Sequence, residues 1–157
     1  MKMKAARALL VLMSAMLSSG MKSGTNAAGV TWEVWVTTSN IDFANTDANC
    51  YIELYGKDGR HTNPFVLDDP NRNDNEKGHT DRHIWHTDDV GEPDFLRVWH
   101  DNINTNPGWH LRDIKILNEA THHEYTFYAN RWLATTMADG KIQIDLKVHS
   151  DHLVGRK

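Results

Sequence analysis

From residue 30 onward the chain alternates apolar and polar side chains in short runs, each ending at Gly, Pro, Asn or Asp. A period of two sends successive side chains to opposite faces of a strand, so one apolar stripe per run marks a half-buried sheet. Trp32, Val34 and Val36 form such a stripe within 32–37, and Cys50, Ile52 and Leu54 form the next within 50–55. Lys57-Asp58-Gly59-Arg60 reads as a tight turn, because Asp-Gly supplies the positive φ that a hairpin needs. Further strands are predicted over 61–67, 80–86, 94–100, 113–117, 122–128 and 141–149. Residues 68–79 are too hydrophilic for a core element and read as a long loop. Almost nothing shows helical period, and eight short strands separated by turn signals predict an all-β sandwich or barrel.

The first 30 residues follow a different rule. Lys2 and Lys4 precede an apolar stretch over 5–17 broken only by the third basic residue, Arg7, and by Ser14, then come Ser18, Ser19 and Gly20, and the first acidic residue is Glu33. That order and length match a signal peptide over 1–20, and the apolar run falls short of the roughly 20 residues a membrane span needs. The layout that follows is a linker over 21–29, one domain over 30–150 and a tail over 151–157, with secretion to the extracellular space. The chain's 157 residues, 39% hydrophobic, suffice for one core and leave little room for a second domain. Cleavage after residue 20 would leave 14 basic against 21 acidic residues, a net charge of −7, which argues against nucleic acid as a partner. Cys50 is the only cysteine, so no intrachain disulfide forms and stability rests on the core. With no base placed beside it, Cys50 is expected to be a buried, inert thiol.

Several segments carry a resemblance that periodicity alone does not supply. Asn45-Thr46-Asp47-Ala48-Asn49-Cys50-Tyr51-Ile52-Glu53-Leu54, Lys77-Gly78-His79-Thr80-Asp81, Pro107-Gly108-Trp109 and Asn130-Arg131-Trp132-Leu133 stand in the order of the signatures of PLAT domains. These are the lipoxygenase-homology modules also found in polycystins and bacterial alpha-toxin. The resemblance implies an eight-stranded antiparallel β-sandwich of two four-stranded sheets, with Trp32, Trp109 and Trp132 buried. Two positions depart from the family pattern: Ala129 where cysteine is common, and Asn45 where glycine is usual.

Two loops are rich in oxygen donors of the kind calcium takes six to eight at a time. Asn45, Thr46 and Asp47 lie on one, and Asp68, Asp69, Asn71 and Asp74 on the other. The second run resembles a calcium-ligating segment of the alpha-toxin PLAT domain, with one residue inserted before Gly78. These seven residues are the candidate calcium ligands, against the plainer account that Asp and Asn cap turns and keep loops solvated. An EF-hand is excluded because flanking helices and a twelfth-position glutamate are missing. Zinc is disfavoured by spacing: His83 and His86 point to opposite faces of one strand, and His122 and His123 are adjacent.

No Gly-x-Ser-x-Gly elbow, phosphate loop or nucleophile with a base is present, so the chain reads as a non-enzyme. Phe43 and Ile103 are apolar residues inside polar loops, which either enter a lipid surface or fold back over the end of the sandwich. Trp35 lies on the face opposite Trp32, and an apolar patch around it would favour a protein partner instead. The function expected is therefore a secreted binding module, docking on lipid or membrane with calcium. The alternative is a calcium-independent protein-interaction module that uses a sheet face. Protein recovered from its source is expected to begin near residue 21 by N-terminal sequencing, and intact Met1 in cytosolic extract would refute the signal peptide.

Overall fold

The computed structural model describes residues 29–155. The expected signal peptide and all of the expected linker except Gly29 lie outside the described residues. Nine strands follow one another: β1 (Gly29–Thr38), β2 (Cys50–Gly56), β3 (Phe65–Val66), β4 (Thr80–Asp88), β5 (Pro93–His100), β6 (Trp109–Asn118), β7 (His123–Leu133), β8 (Gln143–Lys147) and β9 (Ser150–Leu153). They form two antiparallel sheets, ordered β4-β1-β6-β7-β9 and β3-β2-β5-β8. No helix among the described residues is long and apolar enough to cross a membrane.

The all-β sandwich is as the sequence predicts, but the strand count is nine and the sheets hold five and four strands. The difference arises at the last predicted strand. Val148 still donates its N–H to Asp94 O beside β5, whereas His149 donates to Thr126 O on β7. The chain changes sheets between these two residues, so one run of alternating side chains serves two sheets. β9 then continues to Leu153, three residues into the expected tail. Other strands also differ in extent: β7 runs five residues past the predicted end, to Leu133, and two further differences have a local cause. Asn63 and Pro64 break the predicted strand over 61–67, leaving β3 at two residues and His61 in an isolated bridge with Tyr55. β6 begins four residues early at Trp109, because a bulge between Leu111 and Asp113 throws the alternation out of phase.

The core lies where the inner faces meet. Trp32, Val34, Val36, Ile114, Ile116 and Phe127 face inward from the larger sheet, and Cys50, Ile52, Leu54, Leu96 and Val98 from the smaller. Each large apolar side chain so buried contributes about 1.5–3 kcal/mol. Cys50 is fully buried with its Sγ 3.6 Å from Ala48 O; burial, with the charges of Asp101 and Asp68, pushes the thiol up, so it stays protonated and inert. Trp32 and Trp109 join the core as expected, but Trp132 is only half-buried, because the end of β7 opens onto a cavity.

At the opposite end from the long loops, Gly56 lies against the β4–β5 connection. A Cβ there would lie 1.9 Å from Val90 O, a contact with backbone that no rotamer change relieves. Gly56→Ala is expected to cost about 1–3 kcal/mol by overpacking. Gly59→Ala, with nothing within 4 Å but φ +86°, should cost only the strain of that backbone, about 1 kcal/mol. Thermal melts of the two variants test this order.

Candidate functional site at the loop end

Four long connections emerge at one end of the sandwich: 39–49 between β1 and β2, 67–79 between β3 and β4, 101–108 between β5 and β6, and 134–142 between β7 and β8. Buried polar groups hold these loops to the sheets. Trp109 donates its indole N–H to Thr38 Oγ1 at 2.9 Å, and His110 Nδ1 lies 2.7 Å from Ser39 Oγ. His100 on β5 reaches across to β7, with Nε2 2.9 Å from Leu133 O, while the Asn102 N–H lies 3.1 Å from its Nδ1. A carbonyl accepts only from N–H and a backbone N–H only donates, so the imidazole is neutral with its proton on Nε2.

Thr46 stands at the centre of the loops. Its N–H donates to Asn75 O, its hydroxyl points to Pro107 O at 3.0 Å and Asn106 O at 3.3 Å, and it accepts the Ala48 N–H at 3.1 Å. Thr46, a candidate ligand from sequence, thus braces three loops, its hydroxyl joining 39–49 to 101–108 and its N–H reaching 67–79. Asn45, another of the seven candidates, lines a cavity together with Phe43. Asp47 is exposed; its N–H donates to Asn106 O and its carbonyl accepts the Asn104 side-chain amide at 2.6 Å.

Three candidates of the second loop do come together. Asp74, although charged, is buried, and its Oδ2 accepts the Asp69 N–H. Asp69 Oδ1 accepts from the Asn71 N–H at 3.0 Å and from its amide at 3.1 Å. The Asn71 backbone bond holds the Asp69 carboxyl below the usual carboxylate range, with smaller help from the Asn71 side chain and Arg72. Asp68 is exposed beside them. Arg72 neutralises the pair, with Nε 3.1 Å from Asp69 Oδ2 and Nη2 3.3 Å from Asp74 Oδ1. The second contact is close enough for charge attraction but does not have hydrogen-bond geometry, so Asp74 Oδ1 is buried without a hydrogen bond.

Among the described residues no three of His, Cys, Asp and Glu gather as a metal site. Calcium would therefore draw on Asn and backbone oxygens as well as carboxylates. The donors at 68–74 are all oxygen, and one buried carboxylate oxygen has no hydrogen-bond partner, so the residues fit that ion in kind once Arg72 moves aside. His83 is buried nearby on β4, and burial holds its imidazole below the ordinary range and so neutral.

Beside this charged loop the end of the sandwich is apolar. Phe43 is 82% exposed and Ile103 57%, and Ile41 and Met137 project with them. Phe43 has φ 63°, a conformation that a bulky side chain rarely takes. Ile41 and Met137 escape the sequence reading, which takes Trp132 for a core residue. Met137 gives the same signal as Phe43 and Ile103, one apolar residue inside a polar turn, but its run lies beyond the last recognised motif. A cavity of about 420 Å³ opens among Phe43, Asn45, Asn102, Pro107, Trp132 and Met137.

Two antiparallel sheets with four long connections gathered at one end define a β-sandwich module whose candidate chemistry sits on those loops. The PLAT/LH2 domain model matches residues 32–145, and the chain belongs to that family. Lipoxygenase homology domain-containing protein 1 of Mus musculus is 33% identical over 111 residues, 71% of this chain and 5% of that protein. Polycystin-1-like protein 3 of Homo sapiens is 34% identical over 97 residues, 61% of this chain and 6% of that protein. A calcium-dependent 11R-lipoxygenase superposes with a TM-score of 0.59 at 29% identity, covering 76% of this chain and 17% of that one. The chain thus spans a small part of each of these relatives.

The neutral imidazoles give the loop end a pH dependence. Burial pushes His100 and His110 below the ordinary histidine range, against smaller opposing effects of Leu133 O and Asp101 on His100. The unfolded chain then binds protons first as pH falls, so stability is fully present above about pH 6.5 and is lost below it, through the lowered folded values. Urea midpoints are expected to drop between about pH 7.5 and pH 5, and His100→Gln should flatten that slope.

Proposed function

We propose that this chain is a secreted, non-catalytic binding module that docks on lipid surfaces through its loop end, with calcium assisting. The observation that carries the reading is Phe43, held at φ 63° and 82% exposed, on the same end as Ile41, Ile103 and Met137. Strain kept at an exposed aromatic residue adds nothing to the core and points to a role outside it. Asp69 and Asp74, with Asp68 and Asn71, supply the carboxylate and amide oxygens that would hold calcium; the bound ion would offset the negative charge that a phospholipid surface repels. The calcium dependence of the related 11R-lipoxygenase supports the same assignment. Asn45 and Asp47 lie on the adjoining loop, where Thr46 braces them against Asn75 O. The sheet-face alternative draws less support, since Trp35 is half-buried and pairs in register with Arg82 and Lys115 rather than with an apolar patch.

Calcium at about 100 times its dissociation constant is expected to add roughly 2.7 kcal/mol to stability, a rise of several degrees in melting temperature. Asp69→Asn should remove most of that rise, and identical melts in calcium and in chelator would refute the site. Phe43→Gly relieves the left-handed strain, so it is expected to raise stability by up to about 1 kcal/mol. The same variant should sediment less with phosphatidylserine–phosphatidylcholine vesicles in calcium; unchanged sedimentation would remove Phe43 from the docking surface.

A further inference from the structure

The cavity beside Phe43 has a chemistry that neither calcium nor membrane insertion uses. Its twelve lining residues include no charged side chain, in a chain where 24% of residues are charged. Clefts elsewhere on the described surface are charged: Lys57, Glu92, Asp94 and Lys147 line one, and Arg112, Asp113, Lys115 and Glu124 another. Here the polar groups are three amides, Asn45, Asn102 and Asn106, and three hydroxyls, Thr105, Thr135 and Thr136. Among the described residues, none of these six side chains makes a hydrogen bond to protein; only the backbones of Asn102 and Asn106 do so. The apolar part of the wall is Trp132, Phe43 and Met137.

The walls are built rather than loose. Asn102 and Asn104 are fixed in the left-handed region at φ 57° and 74°, the first by its N–H to His100 and the second by its amide to Asp47 O. The opposite wall is closed by Ala134 N–H to Lys141 O and Gly140 N–H to Met137 O. The Trp132 ring is set edge-on against His110, with centroids 5.1 Å apart at 88°.

Such a lining selects by exclusion. A phosphate or carboxylate meets no cation, and an ammonium meets no carboxylate. An acyl chain would strip water from six polar side chains and return no hydrogen bond. An uncharged ring bearing neighbouring hydroxyls fits every feature. Each amide offers two donors and an acceptor, each threonine a donor and acceptors, and the ring's C–H face packs on aromatic carbon. A volume of about 420 Å³ is also of small-ligand size. We infer that the loop-end cavity binds a neutral hexose unit, presented either as a free glycoside or as the headgroup of a glycolipid. The site shares Phe43 and Met137 with the phospholipid reading and Asn45 with the calcium candidates, but sugar binding requires neither calcium nor phospholipid.

The test uses the secreted chain in chelator, in two arms. Methyl glucoside, methyl galactoside and methyl N-acetylglucosaminide are titrated while the side-chain amides of Asn45, Asn102 and Asn106 and the Trp132 indole N–H are followed by NMR. In parallel, the protein is sedimented with phosphatidylcholine vesicles with and without a neutral monoglycosyl lipid. Saturable shifts at those groups identify a free-glycoside site, and sedimentation that requires the glycosyl lipid identifies a headgroup site. Asn45→Ala with Asn106→Ala should weaken either signal roughly tenfold or more, for the loss of two amide contacts. Thr136→Trp, on an exposed loop position, should fill the cavity and abolish the signal while leaving the core spectrum unchanged. Absence of both signals, or equal binding by wild type and Thr136→Trp, overturns the inference. Calcium-dependent sedimentation with phosphatidylserine is scored separately, so failure of either reading leaves the other standing.

Discussion

The buried imidazole of His100 joins the two sheets at the end that carries the loops. β5 belongs to the four-stranded sheet and β7 to the five-stranded one, and the 2.9 Å contact from Nε2 to Leu133 O crosses between them. The same ring, through Nδ1, fixes the first turn of the 101–108 loop at Asn102. A lysine or arginine there could donate to Leu133 O but could not accept the Asn102 N–H, and a leucine would leave both groups buried and unpaired. Trp109 to Thr38 and His110 to Ser39 repeat the device within the larger sheet. The loop end is therefore a rigid platform made from strand termini, and residues carried on it inherit positions set by the core.

How far the sequence reveals this depends on whether a feature is local. Alternation along 32–37 and 50–55 marks the buried stripes correctly, because a strand's period of two is a property of the strand alone. The sheet switch at Val148–His149 cannot be seen that way, since both halves alternate and only the bonding partners differ. The bulge at Arg112 hides the start of β6 for a related reason: one extra residue shifts the phase without changing composition. In the candidate site, Asp69, Asn71 and Asp74 are legible because short-range turns bring them together. Thr46 and Asn45 are legible as residues of the loop but not in their roles. Whether a threonine hydroxyl faces an ion or a carbonyl depends on Pro107, 61 positions along the chain.

The loop end divides into two chemistries with Thr46 at the boundary. On one side Asp69, Asp74 and Arg72 form a charged cluster around a buried carboxylate, and on the other the cavity wall is wholly uncharged. Thr46 touches both, through Asn75 O on the acidic side and Pro107 O on the neutral side. This separation has a physical reason. A carboxylate placed among the free amides of the cavity would take their hydrogen bonds for itself, and a cation drawn to 68–74 would meet competing oxygens on both sides. Asp69, Asp74 and Arg72 lie on the 67–79 loop and the cavity's amides on 39–49 and 101–108, and the 39–49 loop, which carries Phe43 and Asn45 at the cavity and Thr46 at the brace, touches both. Thr46 is thus the contact that the two chemistries share, through its N–H on the acidic side and its hydroxyl on the neutral side.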